Sequence, residues 1–468
     1  MTTPTISFLG AARNVTGSRF LLEDGTTRVL VDCGLYQERD LATRNWDHFP
    51  VEASSIDAVL LTHAHLDHSG YLPRLVADGF QGPVYCTEAT ADIVAILLED
   101  SARIQTEDAA FKKRRHQKES RKGYRPEVPL YTVDDAVNAI SHLTPVAYGE
   151  RVAIGGFAAT FADAGHILGS ATVQVGFGQG PEAKTIVFSG DLGRVAGPLL
   201  HDPAPYAHAD YVVVESTYGD RKHRGQGNAM DAVAEAINAT VKRGGNVLIP
   251  SFAVERAQDL LVMLKTMVET KRIPHLMFFV DSPMATDVTR VFERYPELLD
   301  PELAQKLDDG DSPFRFADLN FVKTVEESKA INNIRGTAVI IAGSGMCTGG
   351  RIKHHLVNNI EDPNTTVLFV GYQAYGTLGR LLVDGAETVR IQGQQRDVRA
   401  QIVQVNGMSA HADVDGLRHW LGALESAPST VFVVHGEEES ALGFAETLAT
   451  DFGWETIAPE FGQTFELA

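Results

Sequence analysis

The sequence predicts an α/β protein in which a Rossmann-like block of alternating strands and helices interrupts a strand-rich frame. Three observations carry this expectation. The first third reads as short apolar strands punctuated by turn residues, the middle alternates strand and helix regularly, and strand-rich sequence then resumes. With 468 residues and 44% hydrophobic content, the chain can bury more than one core.

Short strands are expected over 5–9, 18–22 and 27–31, the last running into Asp32-Cys33-Gly34. An aspartate at a strand end followed by glycine is either a turn cap or a functional carboxylate. A further buried strand over 56–61 precedes Thr62-His63-Ala64-His65-Leu66-Asp67-His68-Ser69-Gly70, and a helix starts near Gly70. A long helix follows over 88–118, with Ile93, Ile96, Leu97 and Ile104 on one face. Strands over 151–164 and 171–177 lead to two buried strands with polar ends, Ser189-Gly190-Asp191 and Glu215-Ser216-Thr217. From 218 to about 385 strands and helices alternate, as in a parallel sheet covered on both faces. The expected division is therefore 1–217, an insertion at 218–385, and a return at 386–468, with a last strand at 430–434.

The net charge of −20 argues against a surface-wide nucleic-acid footprint. One local basic run remains: Lys112, Lys113, Arg114, Arg115, Lys118, Arg121, Lys122 and Arg125. It reads equally as a solvated helix face or a phosphate-steering patch. No apolar run reaches membrane-span length, and Met1 to Ile6 show no secretory signal. Cys33, Cys86 and Cys347 are scattered, as expected of reduced core thiols in a cytoplasmic protein.

Three imidazoles and a carboxylate within six residues make a poor core and a good metal site. In an extended turn, His63, His65 and Asp67 share one side while His68 faces another position, an arrangement able to feed two metals. Imidazole and carboxylate donors without thiolates suit zinc first, then manganese or iron. The remaining donors are sought where other strands run out. His166 lies in Gly165-His166-Ile167-Leu168-Gly169, Asp191 precedes Leu192-Gly193, and His435 precedes Gly436. Glycine lets backbones crowd around an ion at such places.

The order Asp32, His63-Ala64-His65-Leu66-Asp67-His68, His166 and Asp191 resembles the metallo-β-lactamase superfamily, an αββα sandwich. Glu215, His411 in Ser409-Ala410-His411-Ala412-Asp413, and His435 sharpen the resemblance to the β-CASP nucleases, in particular the cleavage-and-polyadenylation endonuclease type and its bacterial relatives. Ser216-Thr217-Tyr218-Gly219-Asp220-Arg221, Gly343-Ser344-Gly345-Met346 and Gly371-Tyr372-Gln373 point to the same branch. The resemblance spans essentially the whole chain.

It implies two zinc ions: His63, His65 and His166 at the first, Asp67, His68 and His435 at the second, with Asp191 bridging and Asp32 orienting from outside. It further implies hydrolysis of single-stranded RNA by a hydroxide shared between the zincs, giving 5′-phosphate and 3′-hydroxyl ends. His411 would protonate the leaving oxygen and Glu215 would hold His411. Homodimerisation is an expectation of the family alone.

The glycine-rich run 343–350 follows a strand and opens a helix at Arg351, a setting for backbone amides that cradle phosphate. A nucleotide cofactor is not expected, because the next strand ends Phe369-Val370-Gly371-Tyr372-Gln373 without an acidic residue. The loop is read as an RNA contact, with Ser344, Arg351, Arg256 and Arg380, and with Tyr372 and Tyr375 as stacking or packing rings. About thirty residues follow His435, too few for an additional C-terminal domain, and no RNA-binding module precedes the first strand. The competing readings are a DNA-acting relative, a non-nuclease hydrolase on the same sandwich, and a metal-free scaffold. Endonuclease and 5′-exonuclease modes use the same centre and stay undivided.

Overall fold

The computed structural model describes residues 3–38, 40–119, 127–180, 183–223, 229–371 and 373–468. Tyr372 and the basic residues Arg121, Lys122 and Arg125 lie outside the described residues. The chain divides into two compact units, Met1–Lys222 with His411–Ala468, and His223–Ala410.

The first unit holds two seven-stranded mixed sheets. In one, Thr464–Glu466, Thr5–Phe8, Phe20–Glu23 and Arg28–Val31 run antiparallel, and Ala58–Leu60, Val84–Cys86 and Leu143–Pro145 extend the sheet in parallel from Arg28–Val31. In the other, Thr456–Ile457, Thr430–Val434, Tyr211–Glu215 and Lys184–Phe188 are parallel, and Ala171–Phe177, Phe157–Asp163 and Arg151–Ile154 complete it as an antiparallel meander. Phe8, Phe20, Leu22 and Val31 from one sheet meet Phe161, Val173, Phe188 and Phe432 from the other. The Phe8 and Phe432 rings stand 5.1 Å apart between centroids.

The parallel strands are apolar on both faces because both are covered. Val187, Val212, Val214, Val431 and Val433 turn outward onto Leu417, Trp420, Phe444 and Leu448 of the helices Val414–Leu421 and Glu438–Phe452. The expected αββα sandwich is present.

The second unit contains a six-stranded sheet in the order Leu319–Phe321, Met277–Asp281, Ala338–Ala342, Val247–Pro250, Thr366–Phe369, Gln401–Gln404. Every pairing in it is parallel. This is the expected Rossmann-like block, but it ends later than residue 385. Gln401–Gln404 is the edge strand beside Thr366–Phe369. The hairpin Thr388–Ile391 with Gln394–Asp397 brings Val389 and Ile391 onto Ile352, Leu356 and Leu382. The apolar residues after 385 thus complete this unit's core, and the chain returns to the first unit at His411.

Candidate metal centre

The His-rich turn is held from beneath by the turn after Arg28–Val31. Cys33 N donates to His68 O at 2.7 Å, Leu35 N to Leu66 O at 2.9 Å, and Ser18 N to Asp67 O at 2.9 Å. Gly34 permits this closeness, since a Cβ there would lie 1.6 Å from the Asp67 carbonyl oxygen. The buried Arg19 guanidinium fixes the same turn by donating twice to Gly34 O, at 2.9 and 2.7 Å, beneath the Tyr71 ring. Asp32 has φ of 60° and turns its carboxylate inward, accepting from Thr62 N at 2.8 Å and from His68 Nδ1 at 2.7 Å.

Two donor groups result, and a third, Asp191, Glu215 and His435, overlaps them. His63, His65, His166 and Asp191 form one, and Asp67, His68 and His435 the other. In the first, His63 Nε2 lies 3.0 Å from His65 Nδ1, and His166 Nε2 lies 3.3 Å from the same nitrogen. In the second, His68 Nε2 and His435 Nε2 face each other at 3.0 Å, and Asp67 Oδ2 is 3.5 Å from His435 Nε2. Asp191 divides between them. Its Oδ2 is 3.4 Å from both His63 Nε2 and His166 Nε2, whereas its Oδ1 is 3.2 Å from His68 Nε2 and 3.5 Å from His435 Nε2.

Asp67 therefore belongs with His68, not with His63 and His65. The turn does not stay extended: residues Leu66–Ser69 form a helical turn, so alternation stops after His65.

His411 stands beside both groups without joining either. Its Nδ1 meets the buried Glu215 carboxylate at 3.2 and 3.1 Å, and its Nε2 is 3.9 Å from Asp191 Oδ2. Leu192 N donates to Glu215 Oε1 at 2.7 Å, which locks the acid. Burial opposes a charge on His411, but Glu215 and then Asp191 outweigh it and push its pKa up to about 9.

The other groups divide in the same manner. Burial and then His63 push His65 down to about 3, and burial with His411 lowers His166 well below its usual range. These rings are neutral, the form that ligates metal. Burial opposes charge on His68 and His435, yet Asp191 raises both, with Asp32 aiding at His68 and Asp67 at His435. For Asp191 burial opposes ionisation, but His435, His68 and His63 hold it well below the usual carboxylate range. Asp191 Oδ1 is buried without a hydrogen bond although two ring nitrogens face it. Mutually facing lone pairs around an ionised carboxylate fit a cation better than a network of protons, and the N/O donor set fits zinc.

Comparison with known proteins agrees with this geometry. A beta-lactamase superfamily domain matches residues 27–250, a Beta-Casp domain 257–382, and a Zn-dependent metallo-hydrolase RNA specificity domain 395–459. Ribonuclease TTHA0252 of Thermus thermophilus is 41% identical over 97% of this chain and 98% of its own. The chain belongs to the β-CASP metallo-β-lactamase family. Transcription termination factor FttA of Methanocaldococcus jannaschii is 34% identical over 97% of this chain and 70% of its own. The solved structure of a protein of unknown function from Enterococcus faecalis V583 covers 100% of both chains with TM-score 0.55 and 13% identity, a likeness of fold.

Within this β-CASP chain, most of the residues singled out from the second unit have partners of their own. Ser344 Oγ accepts from Thr348 N at 3.1 Å and Gly349 N at 3.3 Å inside its own loop. Arg351 spends its guanidinium on Asp281 Oδ1 at 2.6 Å and Lys323 O at 2.6 Å. Arg256 is buried against Asp259 at 2.7 Å, and Arg380 pairs with Asp384 at 2.8 Å. Tyr375 is 96% exposed. Lys112, Lys113, Arg114 and Arg115 are exposed on the helix Glu88–Glu119. Sequence reasoning overlooked Arg19, Thr62 and Thr217, although two of them stand next to residues it had singled out. No helix among the described residues is long and apolar enough to cross a membrane.

Proposed function

We propose that this β-CASP chain is a zinc-dependent ribonuclease that hydrolyses phosphodiester bonds of single-stranded RNA and leaves 5′-phosphate and 3′-hydroxyl ends. One observation carries the reading: Asp191 gives one oxygen to each donor group while His411, backed by Glu215, stands 3.9 Å away on its flank. His63, His65 and His166 would hold one zinc with Asp191 Oδ2, and Asp67, His68 and His435 a second with Oδ1. When bound, zinc supplies Lewis acidity toward a phosphoryl oxygen and lowers the pKa of water toward neutrality.

The chain's own residues supply the rest. Asp32 accepts the His68 Nδ1 proton and so presents Nε2 inward. Glu215 accepts a hydrogen bond from Nδ1–H of His411, favours the protonated ring, and leaves the Nε2 proton for the oxygen that departs. RNA as substrate is supported by the RNA specificity domain match at 395–459 and by the ribonuclease relative. In the second unit we assign RNA-backbone contacts to Ser344 and Arg380, and assign Arg351, bonded to Asp281, to holding the end of the strand Met277–Asp281, while Arg256 is paired with Asp259 inside its own helix.

The test is incubation of the full chain with single-stranded RNA labelled at either end, and with matched DNA, before and after chelation and zinc add-back. RNA cleavage that stops with chelator and returns with zinc, with 5′-phosphate on the new ends and little DNA cleavage, is expected. Chelator-insensitive or absent cleavage would overturn the zinc reading, and equal rates on DNA would overturn the RNA preference.

A further inference from the structure

We infer that Thr217 is the positioning residue that decides which nitrogen of His435 carries the proton. The inference rests on the proposed reading of His435 as a zinc holder and extends it to a residue outside both donor groups.

Topology brings the two together. Tyr211–Glu215 pairs in parallel with Thr430–Val434, Glu215 opposite Val434, so the residues just beyond each strand end meet. The meeting is close. A Cβ on Gly436 would lie 2.3 Å from Ser216 Oγ, and Ser216 Oγ itself donates to Val434 O at 2.8 Å. Ser440 Oγ donates to Ser216 O at 2.6 Å, and His435 N donates to Ala11 O at 2.8 Å. Backbone and ring are therefore both fixed, and His435 sits at φ of 51°, a left-handed conformation maintained by these contacts.

Proton counting then settles the ring. Thr217 Oγ1 lies 3.1 Å from His435 O and 3.1 Å from His435 Nδ1. A hydroxyl has one proton, and a carbonyl oxygen can only accept; we place the Thr217 proton on His435 O, which also accepts from Ser216 N at 3.3 Å. Toward Nδ1 the same oxygen can then only accept. Nδ1 must carry hydrogen, which leaves the lone pair of a neutral ring on Nε2, facing Asp67, His68 and Asp191. Thr62 shows the same logic independently: its hydroxyl points at Asp32, 2.9 Å from Oδ2, and stands 3.1 Å from His63 Nδ1. At His435 no carboxylate bonds to the threonine among the described residues, so the single hydroxyl carries the choice.

The experiment compares Thr217→Val, which removes the hydroxyl, with Thr217→Ser, which keeps it. Zinc affinity is measured by competition with a chromophoric chelator, and the His435 Nδ1 proton is followed by 1H–15N correlation in the zinc-loaded protein. Thr217→Val is expected to weaken zinc binding at the Asp67, His68 and His435 group by about 10–100-fold and to remove or shift the exchange-protected Nδ1 proton. Thr217→Ser is expected to restore both. Parental affinity with an unchanged proton in Thr217→Val, or a serine variant as weak as the valine one, would overturn the inference. His435→Ala separates the two readings. If it binds zinc like the parent, the ligand reading fails and takes the inference with it; if it loses zinc while Thr217→Val does not, the inference alone fails.

Discussion

Removing the His411 ring isolates proton donation from metal holding. His411 Nε2 is 3.9 Å from the nearest Asp191 oxygen and belongs to neither donor group, so His411→Ala should leave the zinc content unchanged. A positioned general acid contributes roughly 10²–10⁴-fold, so the cleavage rate should fall by that factor, equivalent to about 3–5.5 kcal/mol of barrier. The same change leaves Glu215 fully buried with Leu192 N as its remaining hydrogen-bond donor among the described residues, a stability cost on the order of 1–3 kcal/mol. Glu215→Gln in the same background should recover part of that stability without recovering activity. Because His411 and Glu215 act as a unit, the double variant should cleave no more slowly than His411→Ala alone. Single-turnover cleavage of labelled RNA, zinc analysis and thermal melts of the parent and both variants provide the readouts. Loss of zinc from His411→Ala, or a rate within roughly tenfold of the parent, would refute the assignment of the ring as acid.

Three further outcomes are expected. His435→Ala should lose bound zinc as well as activity; metal analysis after dialysis checks this, and full retention would remove His435 from the ligand set. Gly34→Ala should lower both thermal stability and zinc content, because its methyl would overlap the Asp67 carbonyl, with overpacking costing about 1–3 kcal/mol or more. A variant with parental melting and zinc would show that the two turns can separate freely. In the second unit, burial works against ionisation of Asp281, but hydrogen bonds from His355, Ser328 and Arg351 lower its pKa. A depressed folded pKa contributes stability that is full above the unfolded value of 3.8 and is lost progressively as pH falls from there through the lower folded value. The stability gap between parent and Asp281→Asn in urea melts should therefore be wide at neutral pH and narrow below about 3.8, and a gap independent of pH would contradict the assignment.

Most of the fold was legible because periodicity and burial agree. Runs such as Val212-Val213-Val214 and Val431-Phe432-Val433 are apolar throughout because both faces of their strands are covered. The limit at 385 was not legible, since Gln401–Gln404 looks like any short strand and only its pairing with Thr366–Phe369 assigns it to the second unit. At the centre, strand ends and glycines marked His166, Asp191 and His435 as candidates. Alternation misplaced Asp67 because a helical turn begins at Leu66. In sequence Arg351 reads as an RNA contact, and its partner Asp281, 70 positions away, appears only in the folded structure, whereas the Arg256 pair with Asp259 lies within one helix turn and could have been read from spacing. Thr217 was quoted as part of a motif but gave no sign of what its hydroxyl faces, because that partner lies 218 positions away.

The pairing of Tyr211–Glu215 with Thr430–Val434 also sets an order of assembly. Domains emerge from the ribosome N-terminal part first, and contacts distant in sequence form late. A nascent chain that stops short of His411 has Glu215 without its imidazole, and one that stops short of His435 has Asp67 and His68 without their third donor. Each such intermediate contains a foldable parallel-sheet unit yet lacks a finished centre. A complete set of donors thus arrives only once the strand leading to His435 has been made.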